Sequence, residues 1–130
     1  MDLFVYGTLT DPGRVDDVVD AYAYLGPAVL DGLHPVEGRY PTLAPGGRTG
    51  GRLLRVDDVS AVDRYEGVES GLYVRVSVPV HGGDEAAVYV GDPERLGADA
   101  TWGGAGSFRE RVGRYVADAG VVVRPSDAGR

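Results

Sequence analysis

The sequence predicts one mixed domain of strands and short helices, in the α+β or α/β class. Its 130 residues suit a single domain with one hydrophobic core. Short β-branched runs alternate with segments of helical spacing, and the clearest strand is followed by a glycine-bearing turn typical of a hairpin. The pattern alone leaves open whether the sheet is open or closed.

In the N-terminal half, a short buried strand is predicted at residues 3–6. A helix over about 12–22 follows, because an Asp-Pro pair suits its N-cap and first position and apolar residues recur at helical spacing. Second and third strands are predicted at 26–33 and 51–56. The stretch 40–47 is so rich in proline and glycine that a loop or bent edge is expected.

In the C-terminal half, a short helix is predicted to end near Tyr65 or Glu66. Apolar residues alternate strictly along 72–80, which predicts a strand, and 85–90 is its hairpin partner. A capping box opens a last helix over about 107–120. We predict one domain over 1–130, with a loose tail over about 124–130.

Composition excludes several kinds of site. Without cysteine, the chain has no disulfide, thiolate nucleophile or cysteine-ligated metal. Its two histidines, His34 and His81, lie in different segments, so we expect no metal site and no cofactor. No apolar run is long enough for a membrane span, and the N-terminus lacks the pattern of a signal peptide. A cytoplasmic protein that does not bind membranes is therefore the expectation.

The charge balance is acidic, with 14 Asp and 6 Glu against 13 Arg and a net charge of −7. Nucleic acids and anionic lipids repel such a chain, so neither is an expected partner. Lys, Asn, Gln and Ile are absent. Two explanations remain open: coding bias toward G and C, which does not account for the missing Gln, and adaptation to high internal salt.

The first candidate motif is Tyr6-Gly7-Thr8-Leu9, between the first strand and the first helix. A loop in this position can turn several backbone N–H groups toward one point, and the glycine lets a ligand approach the backbone. That arrangement suits a carboxylate or an oxyanion. By itself, a glycine at such a turn is more often structural.

The second candidate motif is Glu66-Gly67-Val68-Glu69-Ser70-Gly71-Leu72-Tyr73. A carboxylate at a helix C-terminus faces the unfavourable end of the helix dipole, at a cost of about 0.3–1 kcal/mol. The two glycines let the turn wrap around a ligand, and Tyr73 starts the polar face of the strongest strand. The alternative is that Glu66 is a solvated residue that merely ends a helix.

Together the two motifs resemble those of the γ-glutamylcyclotransferase-like (AIG2-like) family, with similarity from residue 3 to about 90. The resemblance implies a small mixed β-barrel flanked by helices. It also implies an enzyme that cyclises the γ-glutamyl group of a small amine or peptide and releases 5-oxoproline, without a cofactor. In that family a glutamate matching Glu66 is the acid/base, and amides matching those of Tyr6, Gly7, Thr8 and Leu9 hold the glutamyl end.

The resemblance implies further substrate-binding residues. Tyr73 matches a pocket tyrosine of one branch, and the Tyr73–Arg75 spacing matches another branch. Arg75 is thus a candidate substrate-binding residue, although an internal salt bridge is the alternative. Tyr40 lies in a Tyr-Pro segment common in the family and is expected either in the pocket wall or in a structural turn.

The chemistry requires one well-placed base. The substrate carries its own nucleophile, the α-amine, so one carboxylate can take its proton and return it to the leaving amine. In water, a Glu with a pKa of about 4.3 and an α-amine near 7.8 are ~3.5 units apart, or about 5 kcal/mol. A partly desolvated Glu66 is therefore expected. A non-catalytic small-molecule binder that uses the same cavity is the alternative. The leaving amine and the oligomeric state stay open.

Overall fold

A computed structural model describes residues 1–126, in which a six-stranded sheet curls into a half-barrel with helices packed against it. The strands are β1 (Asp2–Val5), β2 (Tyr22–Val36), β3 (Thr42–Val56), β4 (Tyr73–Pro79), β5 (Glu85–Gly91) and β6 (Val122–Pro125). The helices are α1 (Pro12–Val18), α2 (Val59–Glu66), α3 (Pro93–Leu96) and α4 (Phe108–Asp118), with a 3-10 turn at Thr8–Thr10.

The strand order is β4-β5-β1-β3-β2-β6. β1 lies inside the sheet, antiparallel to β3 and parallel to β5. The two edges of the sheet meet at one point, where Val80 bridges Val123 and the N–H of His81 donates to the Val123 carbonyl over 2.8 Å. The implied mixed barrel flanked by helices is therefore confirmed, in the form of a curled sheet joined across a narrow seam.

Both faces of the central part of the sheet are buried, and its strands alternate between two cores. Phe4, Leu53 and Val88 face the inside of the curl, which α4 and Trp102 cover. Their neighbours on the same strands face outward, where α1 and α2 cover them. Alternate side chains of a strand point to opposite faces, so β1 can serve both cores within four residues. The loop that follows β1 is therefore anchored at the centre of the sheet.

Three predicted boundaries are wrong. The first helix ends at Val18 rather than near 22, and β2 runs over 22–36 rather than 26–33. The stretch 42–47, expected in a loop or bent edge, belongs to β3 and pairs with β2 across register shifts. Gly46 and Gly47 adopt positive φ values of 99° and 70°, which lets the strand bend without ending. The cross-strand pairing therefore overrides the local breaker signal.

The expectation of a loose tail over about 124–130 is wrong for its first two residues. Arg124 and Pro125 belong to β6 and pair with Val29 and Ala28 of β2. The remainder of that expectation, 127–130, lies outside the described residues.

Candidate active site

The cleft has a volume of about 440 Å³ and lies where the end of β1, the loop after it and the end of α2 converge. That volume falls within the usual range of small-molecule sites, about 300–1,000 Å³. Its lining residues are Phe4, Val5, Tyr6, Gly7, Thr8, Leu9, Arg14, Tyr40, Pro41, Tyr65, Glu66, Leu72, Tyr73 and Tyr89. The two candidate motifs, about sixty residues apart in sequence, thus share one cleft.

The loop Tyr6–Leu9 satisfies its first carbonyls by turning back on itself. The hydroxyl and the N–H of Thr10 both donate to the Gly7 carbonyl, over 2.7 and 3.1 Å. The N–H of Asp11 donates to the Thr8 carbonyl over 3.1 Å. These bonds fix the loop in a tight turn.

Two side chains from the hairpin that β2 and β3 form take no part in the loop's turn but donate hydrogen bonds to its next two carbonyls. The Tyr24 hydroxyl donates to the Leu9 carbonyl over 2.7 Å, and the Arg52 guanidinium donates to the Thr10 carbonyl over 2.9 Å. Arg52 also lies over the Tyr24 ring, 3.7 Å from its centroid, so the two braces support each other. The carbonyls of the loop are thereby drawn toward the protein.

The N–H groups of the loop are left without such partners. Within residues 1–126, the amides of Gly7, Thr8 and Leu9 donate to no protein acceptor. Successive unpaired amides that line a cleft can bind an anion, because each carries a partial positive charge. A carboxylate or a developing oxyanion is such an anion.

Glu66 is the last residue of α2. Asp58 caps the start of the helix, and Gly67 ends it with φ 71°, a left-handed conformation that glycine adopts without strain. In the part of the chain that the structure describes, no hydrogen bond or ion pair engages the Glu66 carboxyl. Burial raises its pKa to about 7, because the charged form loses hydration. The cleft thus holds a carboxyl whose pKa lies close to neutral pH.

Buried tyrosines surround this carboxyl. The Tyr6 hydroxyl donates to the Tyr89 carbonyl over 2.6 Å, and the Tyr73 hydroxyl donates to the Pro41 carbonyl over 2.5 Å. Burial raises the pKa of Tyr6 and of Tyr73, and repulsion from the nearby Glu66 carboxylate adds to the shift. Both phenols therefore stay protonated, and Glu66 is the group in the cleft that can accept a proton.

Arg75 does not reach the cleft, so the expectation that it binds substrate is not supported by the structure. Its guanidinium pairs with Asp63 over 2.9 Å, and the Tyr89 hydroxyl donates to the same carboxylate over 2.6 Å. Asp63 precedes Glu66 by one helical turn, so this network ties α2 to β4 and β5. The internal salt bridge, the alternative for Arg75, is what the structure contains.

The mouth of the cleft carries two exposed tyrosines. Tyr40 and Tyr65 are 50% and 43% exposed. The hydroxyls of Tyr65 and Thr8 lie 2.9 Å apart, so a hydrogen bond joins α2 to the loop. Tyr40 therefore lies in the wall, at its solvent end.

Sequence reasoning missed three polar residues of the cleft, Arg14, Tyr65 and Tyr89. Tyr65 directly precedes Glu66, which was a usable signal. Tyr89 lies on β5 and faces the same outer side of the sheet as Ala87, and Arg14 lies in the first turn of α1. Neither has a local signal, because both reach the cleft only through the pairing of β1 with β5 and the packing of α1.

Among the described residues, no helix has the length and apolar character needed to cross a bilayer. No group of three or more His, Asp or Glu side chains there is arranged to hold a metal ion.

Comparison with known proteins gave a family match and a fold match. A family model described as "Gamma-glutamyl cyclotransferase, AIG2-like" matches residues 3–104. A search of curated protein sequences found no match.

Solved structures with this fold include one titled "Gamma-glutamyl cyclotransferase", 16% identical, with a TM-score of 0.60 over 88% of this chain and 97% of that one. An uncharacterised protein from Pyrococcus horikoshii is 22% identical, with a TM-score of 0.56 over 70% of this chain and 77% of its own. YkqA from Bacillus subtilis is 23% identical, with a TM-score of 0.60 over 94% of this chain and 49% of its own. At these identities the structures establish the shared fold alone.

Proposed function

Because the chain belongs to the gamma-glutamyl cyclotransferase, AIG2-like family, we propose that it cyclises the γ-glutamyl group of a small peptide or amine. The products are 5-oxoproline and the free amine. The observation that carries the proposal is a half-buried, unbonded carboxyl, Glu66, in the same cleft as three unpaired amides.

In the proposed reaction, the loop amides of Gly7, Thr8 and Leu9 hold the α-carboxylate of the glutamyl group. Glu66 takes a proton from the α-ammonium, and the amine attacks the γ-carbonyl to close a five-membered ring. The bond from the γ-carbon to the leaving nitrogen then breaks, and Glu66 returns its proton to that nitrogen. The ring nitrogen gives up a second proton to solvent, and the released amine takes one up, so the substrate ammonium becomes the neutral lactam N–H and the amine leaves as an ammonium. One carboxyl thus serves as base and then as acid.

The raised pKa of Glu66 lowers the free-energy cost of the proton transfer from the α-ammonium. An α-amine near 7.8 and a carboxyl near 7 are about one unit apart, which corresponds to roughly 1 kcal/mol. In water the same transfer costs about 5 kcal/mol. Burial thus removes most of the free-energy cost that this proton transfer has with a solvent-exposed glutamate.

The tyrosines that line the cleft also support the proposal, because they form its apolar walls. Tyr6 and Tyr73 present aromatic surface to the cleft while their hydroxyls are held by backbone carbonyls. A flat, largely apolar wall can keep a short chain curled with its amine near its own γ-carbonyl, which converts the reaction into a favourable intramolecular closure.

The test is incubation of the purified protein with a panel of γ-glutamyl compounds, with 5-oxoproline scored by mass spectrometry. The panel contains γ-glutamyl amino acids, γ-glutamyl dipeptides, γ-glutamyl polyamines and ε-(γ-glutamyl)lysine. We expect release of 5-oxoproline from at least one class. Binding without turnover across the panel would overturn the enzymatic proposal and favour a binding protein that uses the same cleft.

A further inference from the structure

The cleft contains one cation that the proposed reaction does not use. Arg14 and Glu66 are the two charged residues among the described residues that line it. Arg14 lies in the first turn of α1, one turn beyond the loop that holds the unpaired amides. It is exposed, as are Tyr40 and Tyr65 at the mouth.

The guanidinium of Arg14 is kept available although acidic residues flank it in sequence. Asp11 accepts a hydrogen bond from the N–H of Gly13, which caps α1. Asp16 accepts from the Tyr22 hydroxyl over 2.8 Å. Within residues 1–126, Arg14 forms no ion pair. Its charge is therefore free to act on a ligand, and apolar cleft walls strengthen that field relative to open solvent.

The charges of the cleft can be matched to those of a substrate. The unpaired amides account for one carboxylate, and Glu66 accounts for one ammonium. The positive charge of Arg14 then matches a second anion, on the part of the substrate that extends toward the mouth of the cleft. A leaving amine with its own positive charge would have no acidic partner, since Glu66 is the one acidic residue in the described lining and is occupied by the α-ammonium.

We propose that Arg14 binds a carboxylate on the leaving group, so that the preferred substrates are γ-glutamyl amino acids or peptides rather than γ-glutamyl polyamines. The inference rests on the proposed function and narrows its substrate class. Arg14 acts in it as a specificity residue, because it touches the substrate away from the reacting atoms.

The test compares γ-glutamyl-alanine with γ-glutamyl-ethylamine, which differ only by the leaving-group carboxylate. A hydrogen bond to a charged group contributes enough that we expect wild type to favour γ-glutamyl-alanine by about 10–100-fold in kcat/KM. Arg14→Gln should reduce that ratio to near one by impairing only the alanine compound. Arg14→Glu should instead favour γ-glutamyl-putrescine. Added KCl should shrink the wild-type ratio, since salt screens exposed charges.

Arg64→Gln is the matched control, because Arg64 is an exposed arginine of the neighbouring helix α2 that does not line the cleft. It should leave the ratio unchanged. An equal loss on both substrates in Arg14→Gln would assign Arg14 to the shared α-carboxylate and overturn the inference, as would no loss on either.

Turnover of none of these compounds would count against the proposed function alone. Calorimetric affinities of the same pair for wild type and Arg14→Gln then decide the inference. A carboxylate preference that Arg14→Gln abolishes supports it, and equal affinities overturn it.

Discussion

Glu66 and Glu69 are three residues apart and chemically identical, yet their surroundings differ. Glu66 is half-buried in the cleft, where desolvation raises its pKa to about 7, whereas Glu69 is exposed. The difference arises because α2 ends at Gly67 and the chain then turns away. The backbone turn thus separates a candidate base from an ordinary surface carboxylate.

The first prediction concerns catalysis by Glu66. Glu66→Gln keeps the shape of the side chain but cannot take a proton, so turnover should fall by about 10²–10⁴-fold. Substrate affinity should fall far less than turnover, because the loop amides and tyrosine walls remain and only the pairing of Glu66 with the α-ammonium is lost. Steady-state release of 5-oxoproline measures the loss, with Glu69→Gln as the control that keeps full activity. Near-normal turnover in Glu66→Gln would remove Glu66 from the mechanism.

A second prediction follows from the cost of ionising Glu66 in the folded protein. Its pKa rises from 4.5 to about 7 on folding, so the folded state holds a proton that the unfolded state has lost between those values. The contribution of Glu66 to the free energy of unfolding should therefore fall as pH rises from 4.5 to 7 and then stay level. The full penalty is about 3 kcal/mol.

Glu66→Gln escapes this penalty. Its free energy of unfolding should match wild type near pH 4 and exceed it by up to about 3 kcal/mol at pH 8. Denaturant unfolding at the two pH values measures the difference. Glu69→Gln should show no such pH-dependent gain, and an equal gain in both variants would contradict the assigned cause.

At the residue scale, the sequence was informative where motifs are contiguous. Tyr6 to Leu9, Tyr40, Glu66 and Tyr73 all lie at the cleft, although their roles stay predictions. Arg75 matched a spacing but turned to Asp63, because a guanidinium on the outward side of β4 meets the carboxylate of α2 first. Spacing identifies the strand and its face; it does not identify the partner.

At the scale of elements, the active loop depends on the hairpin of β2 and β3. Tyr24 and Arg52 lie 15 and 42 residues from the carbonyls they hold. No local pattern could have assigned them. The length of the hairpin is not predictable from local signals, because the Gly and Pro residues of 42–47 bend a strand that stays paired.

The third prediction tests this support. Tyr24→Phe removes the bond to the Leu9 carbonyl, and Arg52→Met removes the bond to Thr10. Each should raise KM by about 5–10-fold, the worth of roughly one hydrogen bond, because the loosened loop presents its amides less well. The pKa of Glu66 in the pH–rate profile should stay near 7, since neither residue touches it.

Arg55→Met is the control for this pair of variants. Arg55 lies on β3, as Arg52 does, but it pairs with Asp2 rather than with the loop. It should keep the wild-type KM, and a loss equal to that of Arg52→Met would indicate general damage to the hairpin.

For the whole molecule, the sequence pattern left an open or a closed sheet undecided, and the resemblance implied a barrel. Closure depends on the contacts of Val80 and His81, just after β4, with Val123 of β6, which is distant in sequence. Alternation along single strands cannot reveal such a contact. It predicted an apolar and a polar face for β4, whereas the central strands are buried on both faces, because helices cover the curled sheet on either side.

The fourth prediction concerns the net charge of −7. Three ion pairs, Asp2–Arg55, Asp31–Arg124 and Asp63–Arg75, occur among the described residues, and they leave the excess of negative charge in place. Raising KCl from 0.02 to 0.5 M at pH 7 should increase Tm by a few degrees, because salt screens the repulsion within that excess charge. Near pH 4.7, where the sequence is neutral, the gain should vanish.

The shape of that salt response separates the two explanations of the composition. A gain that levels off by about 0.5 M reflects screening and fits coding bias. A gain that continues above about 1 M, where the Debye length is only ~3 Å, fits adaptation to high salt.

The unpaired amides of Gly7, Thr8 and Leu9 give the protein a built-in reporter of occupancy. Amide hydrogens without an internal acceptor exchange quickly with solvent deuterium, whereas those held in the sheet exchange only when the structure opens. A carboxylate seated on the loop would slow these three and leave their neighbours in β1 unchanged. Exchange at three backbone positions therefore reads out ligand binding without any turnover, and it applies equally to the Glu66→Gln variant.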